Sequence, residues 1–169
     1  MPVAVRLALP DDLSFFASVE ARAAERFDAD DLPAALRGRT IPVESLRASQ
    51  LAGLAWSAVD GLGQVVGFLV ARKVPWGIHI NEMSVLPSHG GAGAGTALLT
   101  AATDSARRAG YAQVTLTTFS HIAWNGPFYL HRGFRILGPE ECPPELLQCL
   151  ETEAGAGLRN RVAMSRDLT

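Results

Sequence analysis

The chain has 169 residues, of which 48% are hydrophobic and 19% charged, and its formal net charge is −2. This length is enough for one sizeable core, so we expect residues 1–169 to form a single domain. The small negative charge disfavours a general affinity for nucleic acid, which depends on excess Lys and Arg. Apolar runs are far shorter than the roughly 20 residues of a membrane helix, and the first residues lack the apolar core of a signal peptide. We therefore expect a cytoplasmic protein without nucleic-acid or membrane partners.

The first half of the chain predicts a strand, two helices and a hairpin. Apolar residues recur at steps of three and four between Leu13 and Phe27, which is typical of a helix with one face toward a core. The acidic loop that follows, from Asp28 to Asp31, is either a solvated connection or a rim that attracts a cationic amine. The predicted elements are a strand over 3–7, a helix over 13–27, a short helix over 42–50, and two antiparallel strands over 54–59 and 65–73.

The second half predicts a strand, helix and strand in succession, followed by shorter elements. Gly110 and Gly133 are placed to end two helices. The order of elements predicts an α+β fold with a mixed, mostly antiparallel sheet of six or seven strands and helices on both faces. The predicted elements are a strand over 78–86, a helix from 93 or 94 to 109, a strand over 111–119, a short helix around 128–130, a strand over 134–137, a helix over 140–153 interrupted by Pro143 and Pro144, and a last edge strand over 161–165.

The stretch that follows the strand over 78–86 is rich in glycine. Pro87 ends the strand, and the next positions include four glycines: Gly90, Gly91, Gly93 and Gly95. A strand that turns on glycine and restarts as a helix leaves the first N–H groups of that helix unpaired. The helix dipole favours an anion there, and glycine lets a phosphate approach the main chain. The sequence therefore predicts a site for a phosphorylated ligand in this glycine loop, residues 90–96.

Two other kinds of phosphate loop fit this stretch less well. A Walker loop needs a Gly-Lys-Ser or Gly-Lys-Thr sequence, but no lysine follows Lys73. A Rossmann loop needs G-x-G-x-x-G and an acidic residue about 20 positions later. Here Thr96 or Leu98 occupies the sixth position, and the strand over 113–119 has no carboxylate. The spacing therefore disfavours a nicotinamide-dependent oxidoreductase.

The segment from Val85 to Leu99 resembles a signature of the GNAT N-acetyltransferases, V-x-P-x-x-[RQ]-x-x-G-x-G-x-x-L-L. The valine, the proline, the last two glycines and the two leucines stand at the family's spacing. Gly90 departs from the pattern, since the family has Arg or Gln at this position. The departure implies the loss of a side-chain contact to the pyrophosphate, which affects the affinity for the cofactor rather than its identity.

The segment from Trp124 to Phe134 resembles the second signature of the same family, Y-x-x-x-G-F preceded by an asparagine. Asn125, Tyr129 and Gly133 stand at the matching positions. The resemblance covers most of the chain and implies a GNAT-like fold. In that fold, the strands before and after the glycine loop and its helix splay apart at the centre of the sheet.

The resemblance also implies acetyl-CoA as the co-substrate. Its pantetheine arm would lie between the splayed strands, whose unpaired backbone groups its amides satisfy. The main chain of Met83 and Val85 would pair with the arm, and the glycine loop would hold the pyrophosphate. The implied cofactor-binding residues are Met83, Val85, Gly90, Gly91, Ala92, Gly93, Ala94, Gly95, Thr96, Asn125 and Phe128.

Acetyl transfer to an amine needs a base, an oxyanion donor and an acid. The resemblance implies Tyr129 as the acid for the leaving thiolate and a backbone N–H near Met83 as the oxyanion donor. We expect Glu82 to be the base, with His79 as the second choice. A further alternative is that the substrate amine reaches the site already neutral and needs no base. Strict alternation would place Glu82 and His79 on opposite faces of their strand, whereas a β-bulge would change that count.

The sequence thus predicts an acetyl-CoA-dependent N-acetyltransferase for a primary amine of a small molecule or a protein. Direct attack in a ternary complex is implied, since neither motif contains a cysteine. The alternative is a non-catalytic acyl-CoA-binding sensor or regulatory module. Cys142, Cys149 and the scattered histidines have no metal-ligand spacing, so we expect no metal. We also expect that the apolar last strand is able to pair across a homodimer.

Overall fold

A computed structural model describes residues 2–169 of the chain. No helix in this range is long and apolar enough to cross a membrane. The helices are α1 (Leu13–Ala24), α2 (Val43–Leu51), α3 (Ala94–Arg108), α4 (Gly126–Leu130) and α5 (Pro144–Gly155). The strands are β1 (Ala4–Leu7), β2 (Ala55–Val59), β3 (Val65–Val74), β4 (Gly77–Val85), β5 (Gln113–Phe119), β6 (Arg135–Ile136) and β7 (Arg161–Asp167).

The strands form one seven-stranded sheet in the order β1-β2-β3-β4-β5-β7-β6. β4 and β5 run parallel, and the other neighbouring strands are antiparallel. A parallel pair needs a crossover connection, and α3 provides it. The predicted mixed, mostly antiparallel sheet is therefore confirmed, and the hairpin of β2 and β3 lies where its turn residues placed it.

Helices cover both faces of the sheet because alternate strand residues point to opposite sides. On one face, α3 buries Leu98 in a core that also contains Met164 of β7. On the other face, Phe16 of α1 stacks on Phe68 of β3, with the ring centroids 4.3 Å apart. α5 covers β7 through the buried side chain of Leu146. This arrangement confirms the predicted placement of helices on both faces.

The predicted edge position of the last strand is wrong. β7 pairs with β5 over its whole length, and Met164 and Ser165 pair with β6 on its other side. The pairing of β6 with β7 could not be predicted from sequence patterns, because β6 contains only two residues, Arg135 and Ile136. The apolar character of β7 is explained by its interior position, since Ala163, Met164 and Ser165 are all buried. The reason for expecting this strand to pair across a homodimer is therefore removed.

The predicted interruption of the last helix by proline is also wrong. Pro144 is the first residue of α5, and Pro143 is the flanking residue before it. The first N–H groups of a helix have no acceptor within the helix, so the missing N–H of proline costs little there. The two prolines therefore start this helix rather than break it.

The pairing of β4 with β5 is short. The two strands are in register only from Gly77–Gln113 to His79–Thr115. β4 continues to Val85 and β5 to Phe119, so the facing edges beyond these positions have no partner strand. The splayed centre that the resemblance implied is present.

A β-bulge at Asn81 changes the course of β4 at the same level. β3 pairs with Ile80 and Glu82 on consecutive residues, so Asn81 has no partner in the ladder. Arg72 of β3 donates a hydrogen bond to the side-chain oxygen of Asn81. The bulge shifts the alternation of side chains between the two parts of β4.

We expect Gly77→Ala to destabilise the protein strongly, because Gly77 lies where β4 and β5 approach most closely. An added Cβ would lie 1.9 Å from the main-chain oxygen of Gln113, so the strands must separate, at a cost of more than ~3 kcal/mol. Urea unfolding measures the loss. Gly63→Ala is the control, since its Cβ meets no atom within 4 Å and only its left-handed backbone costs ~1 kcal/mol. Equal losses in the two variants would contradict the close approach.

Candidate active site

A cavity of about 860 Å³ opens where β4 and β5 diverge. Its walls are the unpaired part of β4, the glycine loop with the start of α3, β5, α4, and the end of α1 with the loop that follows. Two predicted site residues, His79 and Ala92, do not line it. The predicted residues that line it are Glu82, Met83, Val85, Gly90, Gly91, Gly93, Ala94, Gly95, Thr96, Asn125, Phe128 and Tyr129.

The glycine loop forms a main-chain cradle in the wall of this cavity. Gly91 and Gly93 have φ values of 77° and 84°, which glycine adopts without steric cost. A Cβ on Gly95 would lie 3.5 Å from the ring of Phe128 and 3.8 Å from the methyl group of Met83. The first N–H groups of α3, which begins at Ala94, have no acceptor within the helix. The bare backbone and the positive end of the helix fit a diphosphate.

Arg132 and Asn125 fix the wall beside the loop. Arg132, just after α4, donates hydrogen bonds from Nε and Nη2 to Oγ1 of Thr96 at 3.0 and 2.7 Å. Its guanidinium lies 3.6 Å above the ring of Phe128. The side-chain oxygen of Asn125 accepts a hydrogen bond from Thr118 at 3.0 Å, and its amide nitrogen has no partner in residues 2–169. The side-chain N–H groups of Asn125 are therefore free to donate to a carbonyl group in the cavity.

Tyr129 is almost buried but reaches the cavity. It is 8% exposed, and its ring packs edge-on against Phe128 and Phe134, with centroids 5.2 and 5.6 Å away. Its hydroxyl makes no hydrogen bond within the described residues, and it lines the cavity. Burial and, secondarily, the charge of Glu82 raise the pKa of Tyr129 well above its usual value. The phenol therefore keeps its proton throughout the neutral pH range.

Glu82 follows the bulge on β4 and points into the same cavity. Its Oε1 accepts a hydrogen bond from Ser84 at 3.0 Å. Burial, with a smaller contribution from the carboxylate of Glu20 on α1, raises the pKa of Glu82 to about 7. Burial also raises the pKa of Glu20, whose Oε2 accepts the N–H of Ile41 at 3.0 Å. The cavity thus contains two carboxyl groups that hold their protons more tightly than exposed ones do.

His79 lies outside the cavity, in the part of β4 that still pairs with β5. The hydroxyl of Thr115 bonds to its Nδ1 at 2.9 Å and accepts a hydrogen bond from the indole of Trp76 at 3.0 Å. Burial lowers the pKa of His79 to about 4, so the imidazole is neutral at pH 7. The structure therefore separates the two candidate bases and brings only Glu82 to Tyr129.

Six charged residues of the cavity wall were not predicted: Glu20, Arg26, Arg39, Arg132, Glu153 and Arg161. Two hydrogen bonds of 3.2 Å join Arg161 to Glu153, and the Arg161 guanidinium lies 4.6 Å from the ring centroid of Phe119. A signal for Glu20 was available, because it lies one turn after Phe16 beside the apolar stripe of α1. Nothing local marks Arg161, since its partners lie on other elements, Glu153 on α5 and Phe119 on β5.

The loop after α1 lines the cavity through Phe27 and Leu32. α1 ends at Ala24, earlier than predicted, and the turn places the ring of Phe27 beside Phe119 and Trp124, at 5.4 and 5.8 Å. Asp31 Oδ1 and His121 Nε2 lie 2.8 Å apart. The acidic loop is thus attached at Asp31 to the connection between β5 and α4.

The two cysteines lie away from the cavity. Both are free thiols, and Cys142 is buried in a small core beneath α5, together with Leu146 and Ala163. Within residues 2–169, no group of three His, Cys, Asp or Glu side chains has an arrangement that would hold a metal ion.

An open sheet with diverging central strands, beside a glycine loop that begins a helix, defines a site for an acyl-coenzyme A. The comparison with known families agrees with this class. Residues 20–134 match the acetyltransferase (GNAT) family. The chain belongs to this family of N-acetyltransferases, whose co-substrate is acetyl-CoA.

Solved structures with the same fold include three N-acetyltransferases. N-acetylglutamate synthase from Neisseria gonorrhoeae, complexed with coenzyme A and N-acetyl-glutamate, is 19% identical with a TM-score of 0.70, and the match covers all of this chain but only 36% of that one. The PaiA N-acetyltransferase from Thermoplasma acidophilum, in complex with coenzyme A, is 13% identical with a TM-score of 0.72 and 99% coverage of both chains. The ribosomal-protein-S18-alanine N-acetyltransferase from Escherichia coli is 17% identical with a TM-score of 0.67, covering 99% and 95%. At these identities the likeness is one of fold.

We expect Glu82→Gln to stabilise the protein at high pH. Because the pKa of Glu82 rises from 4.5 to about 7 on folding, its contribution to stability is present below pH ~4.5 and is lost as the pH rises through ~7. The amide cannot ionise, so its stability does not fall in this way. The free energy of unfolding of the variant, relative to the wild type, should therefore increase by ~2 kcal/mol from pH ~5 to pH ~8. Urea unfolding at the two pH values measures this gain, with Glu151→Gln, on the exposed side of α5, as the control. A difference that does not change with pH would contradict the raised pKa.

Proposed function

We propose that this protein transfers the acetyl group of acetyl-CoA to a primary amine by direct attack in a ternary complex. The observation that carries the proposal is that Glu82 and Tyr129 face one cavity, which the divergence of β4 and β5 opens beside the glycine loop. These two groups have the proton affinities that an acid and a base of this reaction need. When bound, acetyl-CoA supplies the acetyl thioester and a thiol leaving group.

In this proposal, Glu82 is the general base. A lysine-like ammonium has a pKa of about 10.4, and a carboxylate with an ordinary pKa is a poor acceptor for its proton. A pKa of about 7 brings Glu82 closer to that value while leaving it ionised above neutral pH. The hydrogen bond from Ser84 orients one carboxylate oxygen and leaves the other for the amine, either directly or through water.

Tyr129 is the general acid of the proposed reaction. Its raised pKa means that the hydroxyl carries a proton at the pH where Glu82 has lost its own. With no hydrogen-bond acceptor among the described residues, the hydroxyl is free to donate to a departing thiolate. Its aromatic neighbours Phe128 and Phe134 fix the ring, so the proton is delivered from a defined position.

The cofactor-binding residues keep the roles that the family resemblance implied. The β5-facing main chain of Met83 and Val85 would pair with the pantetheine arm, and residues 90–96 would cradle the diphosphate. A backbone N–H near Met83 would stabilise the developing oxyanion. Neither cysteine lines the cavity, which supports direct transfer over a route through an acetylated thiol.

The acceptor is a primary amine of a small molecule or of a protein. The carboxyl groups of Glu20 and Glu82 line the cavity and, once ionised, favour a cationic group beside them. The ion pair of Arg161 with Glu153 offers no unbalanced charge in the same wall. The protein would thus bind its acceptor as an ammonium and deprotonate it in place.

We expect Glu82→Gln to lower kcat/KM by ~100-fold or more, because the amide accepts no proton. With acetyl-CoA and a panel of primary amines, release of free thiol measures turnover. The wild-type rate should rise through pH ~7 as Glu82 ionises, and this rise should be missing in the variant. A retained rise would assign the titration to another group.

We expect Tyr129→Phe to lower kcat by ~10- to 100-fold while the KM for acetyl-CoA changes little. Tyr111→Phe, which removes the other tyrosine hydroxyl of the chain, is the matched control and should be neutral. An unchanged rate in Tyr129→Phe at every pH would show that another group protonates the thiolate. Tight binding of coenzyme A without thiol release for any amine would instead favour a non-catalytic sensor.

A further inference from the structure

Gly90 leaves a space that the side chain of Arg26 occupies. Gly90 has φ −63° and ψ 141°, a conformation that any residue adopts, so the backbone does not require glycine here. A Cβ on Gly90 would lie 3.2 Å from the main-chain oxygen of Pro87 and 3.8 Å from Nη1 of Arg26. A long side chain at this position would therefore compete with the Arg26 guanidinium for the same volume.

The guanidinium of Arg26 is held in place but carries an unbalanced charge. It lies over the ring of Trp124, with Cζ 4.2 Å from the ring centroid, a cation–π arrangement that restricts its orientation. No carboxylate within residues 2–169 forms an ion pair with it. Arg26 also lines the cavity. A restrained guanidinium without a counter-ion, on the wall of a cavity, is suited to bind an anion.

The position of Arg26 is at one end of the glycine loop. Arg132 contacts Thr96 at the other end, 2.7 Å from its hydroxyl. Between them, Gly91 and Gly93 expose the main chain without side chains. The loop therefore has one guanidinium near its first residue and another near its last, each supplied by a different part of the fold.

We propose that Arg26 binds the diphosphate of coenzyme A and replaces the arginine or glutamine that the family carries at the position of Gly90. The inference rests on acetyl-CoA as the co-substrate in the proposed function. The cation comes from the end of α1 instead of the loop. Trp124 is a positioning residue, since it holds the guanidinium. Cofactor binding is thereby tied to the segment after α1 that also carries Phe27 into the cavity wall.

Isothermal titration with coenzyme A and with dephospho-coenzyme A tests this proposal. The second ligand keeps the diphosphate and lacks the 3′-phosphate. We expect Arg26→Ala to raise the Kd for both ligands by about tenfold or more, the size typical of a charge-assisted hydrogen bond. The Kd of Arg26→Lys should lie between those of the wild type and Arg26→Ala, because lysine keeps the positive charge but not the several N–H donors of the guanidinium. Arg22→Ala, one turn earlier on α1 and outside the cavity, is the matched control and should bind like the wild type.

Restoring the family residue provides a second, independent measurement. Arginine introduced by Gly90→Arg should recover most of the lost affinity in the Arg26→Ala background. The same change in the wild type should not tighten binding, because two guanidinium groups then compete for one volume. Thermal unfolding of each ligand-free variant shows whether the fold is retained.

Three results would overturn the proposal: an unchanged Kd in Arg26→Ala, a loss of affinity for coenzyme A but not for dephospho-coenzyme A, or no recovery in the double variant. The first or third removes Arg26 as the replacement, and the second moves it to the 3′-phosphate. These outcomes are separate from the proposed transfer reaction. If Arg26→Ala binds normally while the wild type releases thiol, only the Arg26 assignment fails. If Arg26→Ala weakens binding while no amine is acetylated, the assignment holds and the transfer reaction fails.

Discussion

The site depends on the point at which β4 and β5 stop pairing. The ladder ends at His79 and Thr115, although both strands continue. Buried backbone N–H and C=O groups need partners, so the two free edges favour a ligand that carries amide groups of its own. Below this point the ladder pairs β4 with β5, and Gly77 allows their main chains to approach closely at Gln113. Above it, the bulge at Asn81 changes the course of β4. Without the divergence there would be neither a cavity nor a reason for a pantetheine arm to bind.

The same burial that shapes the cavity raises the pKa values of its two acidic groups, Glu82 and Tyr129. Removal from water disfavours the charged form of an acid, so Glu82 and Tyr129 both hold their protons more tightly than in solution. The difference between their ordinary pKa values is preserved, and Glu82 loses its proton first by a wide margin. Burial lowers the pKa of His79 instead, because the charged form of a histidine is the protonated one. One physical effect thus leaves a carboxyl group that ionises near neutral pH, a phenol that keeps its proton and a neutral histidine.

Local patterns predicted most of the fold and the glycine loop in the wall of the cavity. The hairpin, the crossover helix α3 and the glycine loop follow from turn residues and apolar spacing, which act over a few positions. The sheet order around β7 did not, because β6 contributes only Arg135 and Ile136 and leaves no periodic signal. The bulge at Asn81 depends on pairing with β3, and the position of His79 outside the cavity depends on pairing with β5. Arg26 and Arg161 were missed for a related reason: the aromatic rings that they contact, Trp124 and Phe119, are far away in sequence.

Backbone amide hydrogen exchange, measured with and without coenzyme A, tests whether the divergent strands bind the cofactor. We expect coenzyme A to slow exchange most at alternate amides of residues 80–85, those that face β5, and at the amides of residues 91–96. The amides of β1 and β2 should slow by no more than the overall stabilisation that binding brings. If coenzyme A binds and the amides of residues 80–85 exchange as fast as before, the divergent strands are not its binding site.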